Sequence, residues 1–207
     1  MSAVLRYMHI TDVREVVVID RLSFKPAWSE QSYMYEVAKA PSSHMLVMQE
    51  VSDLATGWRR FIRPFSATTG GKILGYAGMW MIADESHIST IASHPDERGK
   101  GVGEALLATL VHKAILCQSS YIVLEVRVSN SVAQNLYHKY EFRVVDRRRN
   151  YYHDNHEDGF DMRLDLSDPE RNARLQERYH AIMKKLNFVD HFSNSPRPPI
   201  IKEDTFS

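Results

Sequence analysis

Cysteine is nearly absent: Cys117 is the only one in 207 residues. No internal disulfide framework can form, and such usage suits a reducing cytoplasm. Nowhere do about 18 apolar residues run together, so no membrane-spanning helix is expected. The opening residues lack the apolar run of a signal peptide, so the chain is expected to be soluble and cytoplasmic. Excess charge is missing too. Lys+Arg and Asp+Glu stand at 26 each, which gives no field to make nucleic acid or an acidic membrane the main partner. Internal repeats and low-complexity tracts are also lacking, and the length suits one well-buried domain plus an appendage.

The patterning present is that of strands alternating with helices, then antiparallel strands late, which predicts a mixed α/β sheet. Residues 4–7, 45–51, 73–82, 121–128 and 161–166 read as strands, and Phe142 opens another. Gly75 and Gly78 inside 73–82 hint at a bulge or close approach. Thr11 and Asp12 are set to cap a helix carrying Val13, Val16 and Val17, and Ser29 to begin a second that Pro41 ends. Residues 52–71 break the pattern and read as a long hairpin loop or insertion. Residues 150–160 read as a polar hairpin tip. Cys117, following Ala114 and Ile115 on an apolar helical stripe, reads as a core thiol.

Two units result: a domain over residues 1–166, and a helical extension with a tail over 167–207. In the extension Asp168 and Pro169 start an amphipathic helix with Leu175, Tyr179, Ile182 and Leu186 at helical spacing. Packing on its own domain is the favoured role, with oligomerisation through this helix the alternative. From Phe188 onward, with Pro196, Pro198 and Pro199, the chain reads as a tail.

The most informative stretch is residues 87–107, HISTIASHPDERGKGVGEALL. Alternating Ile88, Thr90, Ala92 against Ser89, Ile91, Ser93 predicts a strand, followed by a glycine-rich corner and a helix from near Gly103. Glycines every second residue open a cradle of backbone amides next to a helix N-terminus, a site for a phosphate or pyrophosphate. The mononucleotide P-loop spacing is absent, and Glu104 stands where a dinucleotide fingerprint needs its third glycine. What fits is Arg-x-x-Gly-x-Gly, met by Arg98, Gly101 and Gly103.

A second stretch is Leu124-Glu125-Val126-Arg127-Val128-Ser129-Asn130, followed by Leu136 and Tyr137. A glutamate in an apolar strand is costly unless it is paired or working. Two readings stand for Glu125: a salt bridge to Arg127 or a neighbouring strand, or a catalytic carboxylate.

The succession of strand, glycine corner, helix, LEVRxSN strand, LY helix and Arg149-Asn150-Tyr151-Tyr152 resembles the GNAT N-acetyltransferases. Within them it is most similar to the bacterial ribosomal-protein-alanine N-acetyltransferases, which act on protein N-terminal amines. The resemblance spans residues 4–166. It implies a GNAT fold using acetyl-CoA as co-substrate and no metal. It implies that backbone groups of Ile91, Ala92 and Ser93 hold the pantetheine arm, that those of Arg98, Gly99, Lys100, Gly101, Val102 and Gly103 hold the pyrophosphate, and that Asn130 contacts the cofactor. Glu125 is then the general base, Tyr137 the general acid, and Trp28 and Tyr151 shape the acceptor groove. The implied partner is a protein N-terminus, that of a ribosomal protein included.

The chain departs from the family pattern in residues 52–71, in Glu141 where glycine is usual before Phe142, and in everything after Ser167. His153, His156, Glu157, Asp158 and Asp161 could be read as a metal cluster, but zinc spacing is lacking and a hydrated turn is the favoured reading. A small-molecule amine, a lysine side chain, or a non-catalytic acetyl-CoA-binding module are the other functions open at this point.

Overall fold

The computed structural model describes residues 2–51 and 71–200, so the hairpin expected at 52–71 lies outside the described residues except for Gly71. The chain forms β1 (Ala3–Tyr7), α1 (Val13–Ser23), α2 (Glu30–Ala38), β2 (Ser43–Glu50), β3 (Ile73–Ile82), β4 (Glu85–Ser93), α3 (Val102–Leu116), β5 (Tyr121–Arg127), α4 (Ser131–Lys139), β6 (Arg143–Tyr152), β7 (Glu157–Asp165), α5 (Pro169–Leu186) and β8 (Phe188–Asp190). The strands make one eight-stranded sheet in the order β6-β7-β5-β4-β3-β2-β1-β8.

Helices cover both faces of the sheet centre, which is why β3 is buried over seven consecutive residues. One core joins Leu106, Leu110, Ile122, Leu124 and Leu164 to Leu175 and Ile182 of α5. The other, under α1 and α2, gathers Val16, Ile19, Tyr33, Val47, Tyr76 and Ala92. In β5 buried and half-buried residues alternate strictly. Ile122, Leu124 and Val126 join the first core, leaving Glu125 and Arg127 on the opposite face.

The sheet is interrupted where it matters most. Strands β4 and β5 pair in parallel only at Glu85↔Tyr121, Ser86↔Ile122 and His87↔Val123, although β4 continues to Ser93 and β5 to Arg127. Beyond His87 they part. At that point the β3–β4 register slips, because Gly78 faces Thr90 while Met79 faces Ile88, and Ser89 is left without an opposite residue. A Cβ on Gly78 would stand 2.5 Å from Met45 Sδ and 2.9 Å from Ser89 Oγ, so a larger residue at this bulge would have to displace those side chains. The bulge corrects the alternation expected for this strand. Ile88 belongs to the first core and Ala92 to the second, on opposite faces.

Several local expectations are revised by packing. Asp12 does not cap α1 with its side chain; its carboxylate takes a two-pronged contact from Arg6 at 2.6 and 2.9 Å, together with the His9 amide. Ser29 does cap α2, accepting from the Ser32 amide at 3.0 Å. Cys117 is exposed, since α3 ends at Leu116 and the thiol lies past the apolar stripe. The hairpin tip is shorter than 150–160, because β6 runs to Tyr152 and β7 starts at Glu157. Glu141 adopts the left-handed conformation that suits glycine, φ 65°, and its carboxylate is gripped by Arg174 at 3.1 Å and Arg171 at 3.3 Å from α5.

Phe188 does not begin a tail. Residues Phe188–Asp190 add strand β8 alongside β1, in parallel. Asp190 then takes hydrogen bonds from Tyr179, Phe192 and Ser193. Phe192 is fully buried against Tyr7 at 4.5 Å. Lys113 holds the carbonyls of Ser193 and Ser195, and Arg197 those of Ser43 and Ala40. Leu175, Tyr179 and Ile182 of α5 are buried within their own chain, mostly against α3.

Candidate active site

Parting of β4 and β5 opens a cleft of about 950 Å³. Its walls carry Trp28, Ile91, Glu125, Asn130, Tyr137 and Tyr151. Sequence reasoning singled out all six, from elements spread along the whole domain, and folding brings them to one cavity. Ala92, Ser93 and the corner residues 98–103 lie beyond its lining.

Glu125 sits at the fork. Its Oε2 is 2.8 Å from His87 Nε2, and Arg148 Nη2 is 3.7 Å from its Oε1. Arg148 is itself fixed on Asp161 at 2.7 Å and lies over the Tyr151 ring at 5.3 Å. Burial pushes the Glu125 carboxyl up, but the hydrogen bond and charge of His87, with Arg148 behind them, prevail and hold it below the ordinary carboxylate value. The same hydrogen bond raises His87 above the usual imidazole value, with burial opposing.

Arg127 is not the partner of Glu125. Its guanidinium lies over the Tyr152 ring at 3.9 Å, bonds Asp154 at 2.8 Å and Glu157 at 3.2 Å, and donates to the Lys25 carbonyl at 2.7 Å. It thereby joins the α1–α2 loop to the β6–β7 turn. The neighbouring-strand form of the salt bridge is therefore the observed one, through His87 of β4.

Tyr137 of α4 lines the same cleft, and its hydroxyl has no hydrogen-bond partner among the described residues. Burial alone pushes this phenol up to about 12, so it keeps its proton at neutral pH. Asn130 accepts from the Ala133 amide at 3.1 Å and so caps α4; this fixes the helix that carries Tyr137.

Two tryptophans also line the cleft. Trp28 lies parallel to Trp80 at 6.4 Å, and Trp80 meets the His87 ring edge-on at 5.4 Å. The indole N–H of Trp80 is tied to Glu36 at 2.8 Å.

At the corner, Gly99 and Gly101 take φ 75° and 91°, and Gly101 is the N-cap of α3. The amides of these two glycines donate to no acceptor among the described residues. Amides left free in this way beside the first turn of a helix are donors suited to an anion. Arg98 reaches Ser23 Oγ at 3.2 Å, and Lys100 pairs with Glu97 at 3.0 Å. A Cβ on Gly101 would stand 3.4 Å from Leu186, which brings the end of α5 up to the corner.

His87 and Arg148 escaped sequence reasoning. The register β4–β5 that puts His87 opposite Val123, two residues before Glu125 and on the same face of β5, could have exposed the first, but it is not written in either strand. Among the described residues no group of three or more His, Cys, Asp or Glu could hold a metal. Glu157 and Asp158 of the supposed cluster are engaged by Arg127 and Arg147.

The family model described as Acetyltransferase (GNAT) matches residues 16–142. A Bacillus subtilis (strain 168) protein, provisionally named ribosomal protein bS18-alanine N-acetyltransferase, is 31% identical over 167 residues, 81% of this chain and 98% of the relative. The crystal structure of the ribosomal-protein-S18-alanine N-acetyltransferase from Escherichia coli is similar with TM-score 0.65 and 25% identity, covering 80% of this chain and 95% of that one. Arabidopsis thaliana NAA60 in complex with acetyl-CoA has the same fold at TM-score 0.66 and 16% identity, over 80% of this chain and 99% of its own.

Proposed function

The chain belongs to the acetyltransferase (GNAT) family and is an acetyl-CoA-dependent N-acetyltransferase, and on that premise we propose that its acceptor is the N-terminal α-amine of a protein, with an alanine of a ribosomal protein as the favoured terminus. The observation that carries this reading is the Glu125–His87 pair at the fork of β4 and β5, with Tyr137 in the same cleft. The names of the two bacterial relatives support the choice of acceptor.

Bound acetyl-CoA supplies a thioester whose carbonyl carbon an amine can attack directly. Its phosphates are assigned to the amides at Gly99, Gly101 and the start of α3. Its pantetheine arm is assigned to Ile91, Ala92 and Ser93, which pair with β3 on one side and have no β5 partner on the other, and Asn130 touches it from α4. An α-amine has a pKa of about 8, so at neutral pH it arrives mostly protonated. Glu125, coupled to His87, receives that proton directly or through one water. Tyr137 keeps its own proton until the thiolate leaves, then donates it to the sulfur. Nothing near the corner resembles an activated nucleophile, and exposed Cys117 lies outside the residues lining the cleft, so no acetyl-enzyme is invoked. Trp28 and Tyr151 form the acceptor walls.

The test is incubation with acetyl-CoA and a panel of short peptides varied at the first residue, alongside Nα-blocked lysine peptides, polyamines and aminoglycosides. Acetylation of free peptide termini, strongest with alanine, is expected. Product only on lysine ε-amines or small molecules would overturn the acceptor assignment and leave the family standing.

A further inference from the structure

Asp20 is a carboxylate 1% exposed, in α1, and it lines the cleft from below. Burying such a group is costly unless every lone pair is used. Its two oxygens divide their work. Oδ1 accepts from the phenol of Tyr33 at 2.6 Å and from that of Tyr76, and these two phenol oxygens lie 2.9 Å from each other. Oδ2 accepts from the backbone amide of Trp28 at 2.7 Å. One oxygen therefore belongs to the core, between α2 and β3. The other reaches a loop that has no regular structure of its own.

That loop bond begins a chain of contacts. The Trp28 ring lies parallel to Trp80, Trp80 stands edge-on to His87, and His87 is bonded to Glu125. A core that needed only to satisfy Tyr33 and Tyr76 would not require an acceptor aimed at the Trp28 amide. We infer that Asp20 is a positioning residue for acceptor binding: through the Trp28 amide it fixes the tryptophan wall against which the incoming chain end is held beside His87 and Glu125. This rests on Trp28 being on the acceptor side of the cleft.

Asp20→Asn separates the two roles. The amide oxygen can still accept from Tyr33 and Tyr76, but its NH2 then faces the Trp28 N–H, donor against donor. The peptide KM is expected to rise roughly tenfold or more, the weight of one hydrogen bond to a charged group lost. Acetyl-CoA affinity by calorimetry and the pH profile of kcat are expected to stay as in the wild type. Tyr33→Phe, which removes one phenol and leaves the Trp28 bond intact, is expected to lower the melting temperature and leave peptide KM unchanged. Asp20→Glu keeps the charge, lengthens the arm by one methylene and is expected to raise peptide KM in the same way. If Asp20→Asn behaves like Tyr33→Phe, lowering Tm with an unchanged peptide KM, the proposal is overturned. It also falls if neither Asp20 variant folds, since the carboxylate then serves the core. Trp28→Ala tells the two failures apart. An unchanged peptide KM in that variant removes the acceptor-side reading and the proposal together. A raised KM there, with a normal one in Asp20→Asn, removes the proposal alone.

Discussion

His87 Nε2 and Glu125 Oε2 stand 2.8 Å apart where β4 and β5 part, His87 in the last paired step and Glu125 two residues beyond its partner Val123. Their pKa values are pushed in opposite directions, His87 up and Glu125 down, so between those two values the pair is imidazolium and carboxylate. The stability it contributes is lost as pH falls through the lowered Glu125 value and lost again as pH rises through the raised His87 value. Proton acceptance runs the other way, because the pair can take a proton from the amine only once His87 is neutral. kcat/KM is therefore expected to climb with pH through a value above 6.5, the ordinary value for histidine. In Glu125→Gln the raising partner is gone and His87 should titrate lower. A proton NMR titration of the His87 ring reads this directly, and an unmoved His87 titration would break the coupling.

Removal of either proposed proton carrier should slow turnover by roughly 10²–10⁴-fold, the usual worth of one positioned acid or base. Glu125→Gln and Tyr137→Phe are expected to show this in kcat while binding acetyl-CoA as the wild type does by calorimetry. Tyr137→Phe deletes a hydroxyl with no partner among the described residues, so its melting temperature should barely move. Wild-type kcat in Tyr137→Phe would reduce this tyrosine to a packing residue.

At the corner, Gly101→Ala meets the left-handed φ of 91° and the Leu186 side chain at 3.4 Å. Left-handed backbone costs a residue with a Cβ about 1–2 kcal/mol. A Cβ on Gly103 would meet only Ser93 Oγ, at 3.4 Å, and the carboxylate of Gly103→Glu would sit at the amide cradle. Loss of acetyl-CoA binding with a normal melting curve is expected for Gly103→Glu, and calorimetry showing normal affinity would exclude the corner as the phosphate site.

Phe192→Ala empties a fully buried position against Tyr7 and should cost roughly 3–5 kcal/mol. Denaturant unfolding should reveal the loss, with acetyl-CoA affinity intact at low temperature. A negligible change would mean that the segment after β8 contributes little to the fold.

What was legible in the chain was what local chemistry dictates. The strand around Glu125, the Ser29 cap and the glycines of the corner all follow from residue type, side-chain acceptors and backbone freedom. What escaped depends on register and on distant partners. The bulge that leaves Ser89 unopposed turns Ile88 and Ala92 to opposite faces, and no pattern of period two can foresee it. Pairing of His87 with Glu125, 38 residues away, needs the same register. Phe188–Asp190 is too short and too near prolines to read as a strand, and only β1 beside it makes it one. Cys117 is exposed rather than in the core because the apolar stripe of α3 stops with the helix at Leu116, one residue before it.

The parallel seating of β8 on β1 also sets an order of events. Ala3 faces Phe188, so a strand made early is joined on its outer side by one made very late. Until then the amides and carbonyls along that side of β1 stand open, a ready template for another extended chain. The closing step requires ends far apart in sequence to meet, which slows it. A nascent or truncated chain that stops before β8 therefore exposes a sticky edge at the flank remote from the cleft. Its hazard is aggregation, while the fork between β4 and β5 can already be formed.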